Sequence, residues 1–368
     1  MSVPGIVDDH AHPFPLAQEA LDLAEISLDV DGRPGASERR HALGPGRLST
    51  EAIRVRLAGF LDCAPEEVEA AREQAARDWP AYVRRLFADV GVTGMLLDGG
   101  SHPLSAGDLA RAGAVGGIST WSLFRLESVI DPMLAAGASA DEVLAGLDKG
   151  IADAAAGGAV GCKTVLAYRT GLAVAVDVSL ADARASVEDT ELPVPRRAKA
   201  LRDLAFRRSL AQCAELGLPI QVHTGYGDSE IRLADANPLG LDDVLRTPEA
   251  EPAQVVLIHA GYPWHEQVAY LAAVRSSVWA EFSLVNLLNP ATSADRLLRL
   301  VELAPTDRIL TGSDGHGAPE THWQALWVLR EAWAEVRQRL GGVARGAWLD
   351  GAESAILAEN ARALYRLS

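Results

Sequence analysis

Four of the nine histidines in this chain, and one aspartate with them, stand at the ends of short apolar runs. His10 and His12 lie in "GIVDDHAH", His223 in "IQVHTG", His259 in "VLIHAG" and Asp314 in "LTGSDG". Neutral imidazole and carboxylate together suit a borderline divalent ion, with Zn²⁺ preferred and Mn²⁺, Fe²⁺ or Co²⁺ compatible with the same atoms. Residues i and i+2 of a strand point to the same side, so His10 and His12 can reach one ion from one strand. A histidine read alone is more often a polar group satisfied beneath a loop, and a single HxH is a weak signal. The recurrence at several run ends, with an aspartate on the last, is what points to a metal centre.

Lys163, in "GCKTVLAYR", is the other oddity, because a lysine inside an apolar run is costly unless paired or chemically altered. One reading is carbamylation by CO₂, giving an anion that bridges two metals; the other is a plain ammonium bonded to Asp314 or Glu127. Cys162 beside it, on the opposite face, reads as packing. Among the remaining histidines, His41 falls in a polar stretch and reads as solvated, His102 and His265 follow strand ends, and His316 stands two residues past Asp314, where it can support a ligand or line a pocket.

The elements that must position these groups follow from the texture of the chain. "VTGMLLDGG", "GGISTWSLFRLE", "GAVGCKTVLAYR", "LPIQVHTGYG", "AQVVLIHAGYP", "SVWAEFSLVN" and "RILTGSDGHG" join the opening run as eight candidate strands, separated by amphipathic helices. Apolar runs without clean alternation indicate parallel strands buried on both faces, and eight such units make an α/β (β/α)8 TIM barrel. A doubly wound open sheet is the competing architecture, but no GxGxxG follows the first strand. Residues 17 to 90 read as a helical insertion within a single barrel domain of residues 1–368, with helices over "STEAIRVRLAGFL" and over "APEEVEAAREQAARDWPAYVRRLFADVG". Trp323, Leu326, Trp327 and Leu340 share a helical face and read as core.

A formal charge of −16 disfavours a nucleic-acid or anionic-membrane partner. Cys63, Cys162 and Cys213 lie far apart without a CxxC pair, which suggests neither a disulfide framework nor a thiolate site and suits a reducing compartment. With no signal-like or membrane-spanning run, the expectation is a cytoplasmic protein acting on a small molecule.

HxH on strand one, Lys on strand four, His on strands five and six and Asp on strand eight resemble the metal-dependent amidohydrolase superfamily across essentially the whole barrel. "DDHAHPF", "GCKTVLAYRTGL", "PIQVHTGYGD", "ANPLGL", "HAGYPWHEQVAYLA", "SDGHGAPETHW" and "AENARALY" are similar to its FluG-type branch, which includes proteins fused or linked to glutamine-synthetase-like domains. The resemblance implies that His10, His12 and Asp314 bind a first ion, and that His223 and His259 bind a second if carbamylated Lys163 bridges the pair. In a one-ion site His223 would join the first ion and His259 would polarise the substrate. Asp314 would act as general base and then acid in hydrolysis of a C–N bond. Arg169, Arg125 and Glu127 are candidates for holding the substrate, a guanidinium suiting the carboxylate of a γ-glutamyl or related amide, with an ion pair to Glu127 or Asp98 as the structural alternative. Tyr168, Tyr226, Trp264, His316 and Glu320 complete the expected pocket, and the insertion would cap it. Related barrels decarboxylate or isomerise instead, and a metal-free binding protein on the same scaffold is the third reading. A homodimer is implied on family grounds only.

Overall fold

The protein is described here by a computed structural model that covers residues 4–23, 28 and 42–368; His41 lies outside the described residues. Eight strands appear in chain order: β1 (Ile6–Ala11), β2 (Val92–Asp98), β3 (Ser119–Arg125), β4 (Gly161–Thr164), β5 (Ile220–His223), β6 (Val255–Ile258), β7 (Val278–Phe282) and β8 (Ile309–Thr311). Each pairs in parallel with the next, so the sheet order is the sequence order. Helices cross between the strands and cover the outside, which is the expected (β/α)8 barrel.

Ladder pairing runs from β1 to β8, and the remaining seam closes just beyond the end of β8. The Asp314 N–H donates to the His10 carbonyl and the His12 N–H to the Gly315 carbonyl, both at 2.8 Å. The Asp8 carboxylate takes the Ser313 N–H at 2.8 Å and the Ser313 hydroxyl at 2.5 Å. Gly312 permits this approach, since a Cβ there would lie 2.8 Å from the His10 nitrogen. The seam therefore brings the first and last candidate ligands side by side.

Inside the barrel, Val7, Leu96, Leu123, Val256, Trp279 and Leu310 form an apolar cluster against which Ala361 and Tyr365 of the C-terminal segment pack. A polar layer adjoins it, in which Gln221 Nε2 donates to the Asp9 carbonyl at 2.8 Å and meets the Tyr365 hydroxyl at 2.9 Å. Val7 thus belongs to the interior, and the pairing of β1 with β2 is irregular between Asp8 and Ala11. That irregularity re-aims the end of β1, so the reach of His10 and His12 to one place does not come from strict alternation alone.

The expected long helix over residues 64–91 is broken. A short turn at Pro65–Glu67 leads into helix Val68–Ala75, and a separate helix, Trp79–Val90, begins where the Asp78 carboxylate accepts the Ala81 N–H at 3.2 Å and Pro80 occupies the first turn. An N-cap and a proline in the first turn start a helix more readily than they sit within one. Trp79–Val90 buries Trp79, Tyr82, Val83, Leu86, Phe87 and Val90 and supplies the outer crossover into β2. Among the described residues, no helix is long and apolar enough to cross a membrane.

One tie between the segment after β1 and the helix that carries Glu320 is ionic. Arg72 Nε donates to Glu320 Oε1 at 2.7 Å, the Tyr82 hydroxyl donates to the same oxygen at 2.8 Å, and both charged side chains are buried. Removing one partner of a buried pair strands the other charge, so Arg72→Ala is expected to cost about 3–5 kcal/mol in chemical denaturation. Replacing Arg72 and Glu320 together by Met and Leu should recover most of that loss.

Candidate metal centre

Each candidate ligand is carried by the carboxyl end of a strand. His10 is in β1 and His12 follows it, Lys163 is in β4, His223 is the last residue of β5, and His259 directly follows β6. Asp314 follows β8 by three residues. His259 and Asp314 have left-handed backbone, with φ of 64° and 52°, a conformation that non-glycine residues hold only where the surroundings enforce it. All these side chains line one cavity of about 390 Å³.

His10 Nε2 lies 3.2 Å and His12 Nε2 3.5 Å from the same oxygen, Asp314 Oδ1. Among the described residues, these three are the group of metal-ligating side chains whose donor atoms all fall within 4.8 Å of one another. His223 and His259 form a second pair, Nδ1 to Nε2 at 3.1 Å, and the rings of His10 and His259 lie 5.5 Å apart between the two groups. Lys163 Nζ is 3.1 Å from His10 Nε2.

The hydrogen bonds decide which nitrogens are available. A carbonyl oxygen only accepts, so His12 carries its hydrogen on Nδ1, 3.0 Å from the Asp98 carbonyl, and His223 carries its own on Nε2, 2.8 Å from the Tyr226 carbonyl. An ammonium only donates, so His10 Nε2 accepts from Lys163. His10 Nε2 and His12 Nε2 thus both face one carboxylate oxygen; burial disfavours charge on His12, but the bond and charge of Asp314 and the charge of Asp98 outweigh it and raise its pKa, an anion-rich place that a divalent cation can share. Burial lowers the His10 pKa to about 4, with Lys163 adding to the effect, and burial likewise takes His223 and His259 well below the usual range. These three imidazoles are neutral at pH 7, which is the ligating form. The residues present fit a metal ion.

Lys163 makes neither of the carboxylate bonds that would explain a plain ammonium. Asp314 is taken by the two imidazoles, and Glu127 accepts from the Thr164 hydroxyl at 2.6 Å. Burial lowers the Lys163 pKa to about 8 despite the attraction of Asp98.

The expected substrate-holding residues divide. Arg125, Tyr168, Arg169 and His316 line the cavity; Glu127, Tyr226 and Glu320 do not. Glu320 is consumed by Arg72 and Tyr82, and Tyr226 serves the site through its carbonyl while its ring packs on Tyr262 at 4.7 Å. Glu127 borders a separate recess that shares Arg125 and Arg169 with the main cavity. Trp264 does not line the cavity, and of the insertion Leu28 reaches it.

Asp98 takes the Nε–Nη2 edge of Arg125 at 3.1 and 2.5 Å, leaving Nη1 outside that pairing. Arg169 and Arg202 share one carboxylate, Asp131, at 2.8 and 2.7 Å, so this cluster retains a positive charge. The Tyr168 hydroxyl accepts the Asp228 N–H at 2.9 Å and its ring meets His223 at 4.7 Å. Gly227 beside it is required, since a Cβ there would lie 2.0 Å from the Tyr168 oxygen. His316 Nδ1 donates to the Asp314 carbonyl at 2.9 Å, turning Nε2 away from that bond.

Sequence reasoning passed over β7. Ser283 Oγ lies 2.8 Å from His259 Nδ1 and Glu281 Oε2 accepts from Ser283, while Leu284 and Leu288 form an apolar wall of the cavity. The available signal was a glutamate inside the apolar run "SVWAEFSL", the same kind of anomaly that marked Lys163.

The amidohydrolase family model matches residues 7–367. Protein fluG of Emericella nidulans is 33% identical over 195 residues, taking in 48% of this chain and 22% of the fungal protein, so this chain spans well under two thirds of that relative's length. A Lactobacillus casei protein described as a metal-dependent hydrolase superposes with a TM-score of 0.85 at 24% identity, covering 99% of this chain and 95% of the other. Uronate isomerase of Thermotoga maritima gives a TM-score of 0.69 at 15% identity, covering 98% and 94%. At these identities the two structures establish a shared fold.

Proposed function

Because the chain belongs to the amidohydrolase family, we propose that it hydrolyses a C–N bond of a small, carboxylate-bearing amide, with a γ-glutamyl amide as the leading class. The observation that carries this reading is the convergence of imidazole nitrogens and one carboxylate on a single place beside a guanidinium whose charge is only half met. His10, His12 and Asp314 would hold the first ion; His223 and His259, with carbamylated Lys163 as bridge, would hold a second. Zn²⁺ is the preferred occupant of such an N/O set. When bound, the ion supplies Lewis acidity and makes water acidic enough to lose a proton near neutral pH.

The chain's own groups supply the rest. Asp314 is engaged by His10 and His12 through Oδ1, so Oδ2 is the oxygen free to take the proton of the attacking water and pass it to the departing nitrogen. Water adds to the carbonyl carbon, the C–N bond breaks, and an acid and an amine leave. Arg169, with Arg125 Nη1, holds the substrate carboxylate and so sets the carbonyl over the centre. Leu284 and Leu288 lie across the mouth, because β7 faces β3 in an eight-stranded ring, and they favour an amine arm of apolar character. A reducing, cytoplasmic setting suits three unbridged cysteines.

The test is turnover of a panel of γ-glutamyl and related amides, before and after the protein is stripped of metal and reloaded with Zn²⁺. Activity should vanish and return. Arg169→Gln should raise KM by roughly 10–100-fold, with kcat little changed, for carboxylate-bearing substrates, as loss of a charged hydrogen bond predicts. Conversion of uronates without cleavage of any amide would overturn the reading in favour of isomerisation.

A further inference from the structure

We propose that the cavity recognises a zwitterionic α-amino-acid group, with Arg169 taking the carboxylate and Glu230 the ammonium carried on the same carbon; this deepens the reading of the cavity as an amide-hydrolysing site and rests on it. The segment after β5 gives the cavity Gly227, Asp228 and Glu230, so one side of it is acidic. Arg169 lines the same cavity. A cation and an anion therefore face one space.

Their proximity is built into the backbone. Arg196 Nη1 donates to the Arg169 carbonyl at 3.0 Å and its Nη2 donates to the Glu230 carbonyl, so a single guanidinium spans the two main chains. Ahead of Glu230, the Tyr168 hydroxyl accepts the Asp228 N–H at 2.9 Å; beyond it, the Leu172 N–H donates to the Asp235 carbonyl at 2.8 Å. The segment is thus tied on both sides of Glu230 to helix Leu166–Arg169 and the residues that follow it. Between these ties the Ile231 N–H closes on the Asp228 carbonyl at 2.9 Å, a turn that sets where Glu230 stands.

Neighbours of opposite charge ordinarily neutralise each other, and these two do not. Arg169 Nε goes to Asp131, which Arg202 also occupies, and among the described residues Glu230 has no ion-pair partner. Glu230 is exposed, so water solvates its carboxylate until a ligand arrives. A guanidinium whose charge is half met, beside a carboxylate that meets no cation, is the complement of a carboxylate and an ammonium one carbon apart. An acid that lacks the amine satisfies Arg169 but is repelled by Glu230 and Asp228, so the same pair discriminates against it. Among amides of dicarboxylic acids, the cavity selects those whose α-amino group is free, γ-glutamyl over glutaryl.

The test compares two anilides that differ in that amine alone, γ-glutamyl-p-nitroanilide and glutaryl-p-nitroanilide, on the metal-loaded, full-length protein. Wild type is expected to favour the γ-glutamyl compound by about 3–10-fold in KM, the range for a charged contact that water still reaches. Glu230→Gln should erase the preference by raising KM for the γ-glutamyl anilide alone, with kcat held, and Glu230→Lys should invert it. Arg169→Gln is expected to weaken both compounds alike. Because Glu230 is exposed, its substitution leaves the fold intact. Equal KM for the two anilides in wild type, or a Glu230→Gln effect of the same size on both, would overturn the proposal. Calorimetry with L-glutamate and glutarate, the acids these anilides release, reads the same recognition without turnover: tighter binding of glutamate that Glu230→Gln abolishes supports the proposal, and equal binding, or none of either, overturns it. Recognition without hydrolysis would support this proposal and defeat the hydrolase reading separately; hydrolysis of both anilides at equal KM would do the reverse.

Discussion

Asp314→Asn is expected to lower kcat by about 10²–10⁴-fold, the range for loss of a positioned general base. The substitution keeps the shape of the side chain and removes its capacity to take a proton. It also weakens the oxygen that His10 and His12 both address at 3.2 and 3.5 Å, so the first ion should be held less tightly. The fold should survive. Asparagine tolerates the left-handed backbone at φ 52° as aspartate does, and the seam bond from the Asp314 N–H to the His10 carbonyl involves no side chain. Asp314→Ala is the poorer choice, since it adds backbone strain to the chemical loss. Turnover, metal content and thermal melting measured together separate the effects: an unchanged melt with lost turnover supports the assignment, and retained turnover sinks it.

Lys163→Ala is expected to reduce bound metal from about two ions per chain to one, and to remove activity with the ion that leaves. The argument is one of missing partners. Lys163 is buried, its polar side-chain contact is His10 Nε2 at 3.1 Å, and among the described residues no carboxylate pairs with it. Burial takes its pKa to about 8, so roughly a tenth of the amine is uncharged at pH 7, and that is the form that reacts with CO₂. A carbamate so formed would supply anionic oxygens to add to His223 and His259, two neutral nitrogens, in holding a second ion. Elemental analysis of wild type and variant, purified without chelators, decides it. One ion in both proteins would mean a single-ion centre, with His223 on the first ion and His259 free to polarise the substrate.

Much of this architecture was legible in the chain because burial on both faces leaves a strong imprint. Each of the eight strands is an apolar run, and the polar residues that interrupt those runs mark the mouth. His10, His12, His223, His259 and Asp314 could be read for that reason. Glu320 could not be placed, because its neighbours in sequence say nothing of Arg72 and Tyr82, which reach it from the segment between β1 and β2. The break at Asp78 was hidden by continuous helical composition, in which a cap and a proline are easily read as interior residues. Ser283 was invisible for another reason: its meaning lies in its contact with the His259 ring, 2.8 Å away beyond the neighbouring strand.

The closure of the barrel at its seam governs how the protein is made. β1 leaves the ribosome ahead of the other seven strands, and β8, its partner across the seam, comes last of the eight. Until then, β1 presents an unpaired edge to every other nascent chain, the kind of surface that invites strand-to-strand aggregation. The same delay means that His10 and Asp314 cannot meet on a growing chain until the segment after β8 has emerged. A chain cut short before β8 would expose both a sticky edge and orphaned imidazoles, and quality control has good reason to discard it. Assembly of the candidate centre is thereby tied to closure of the seam.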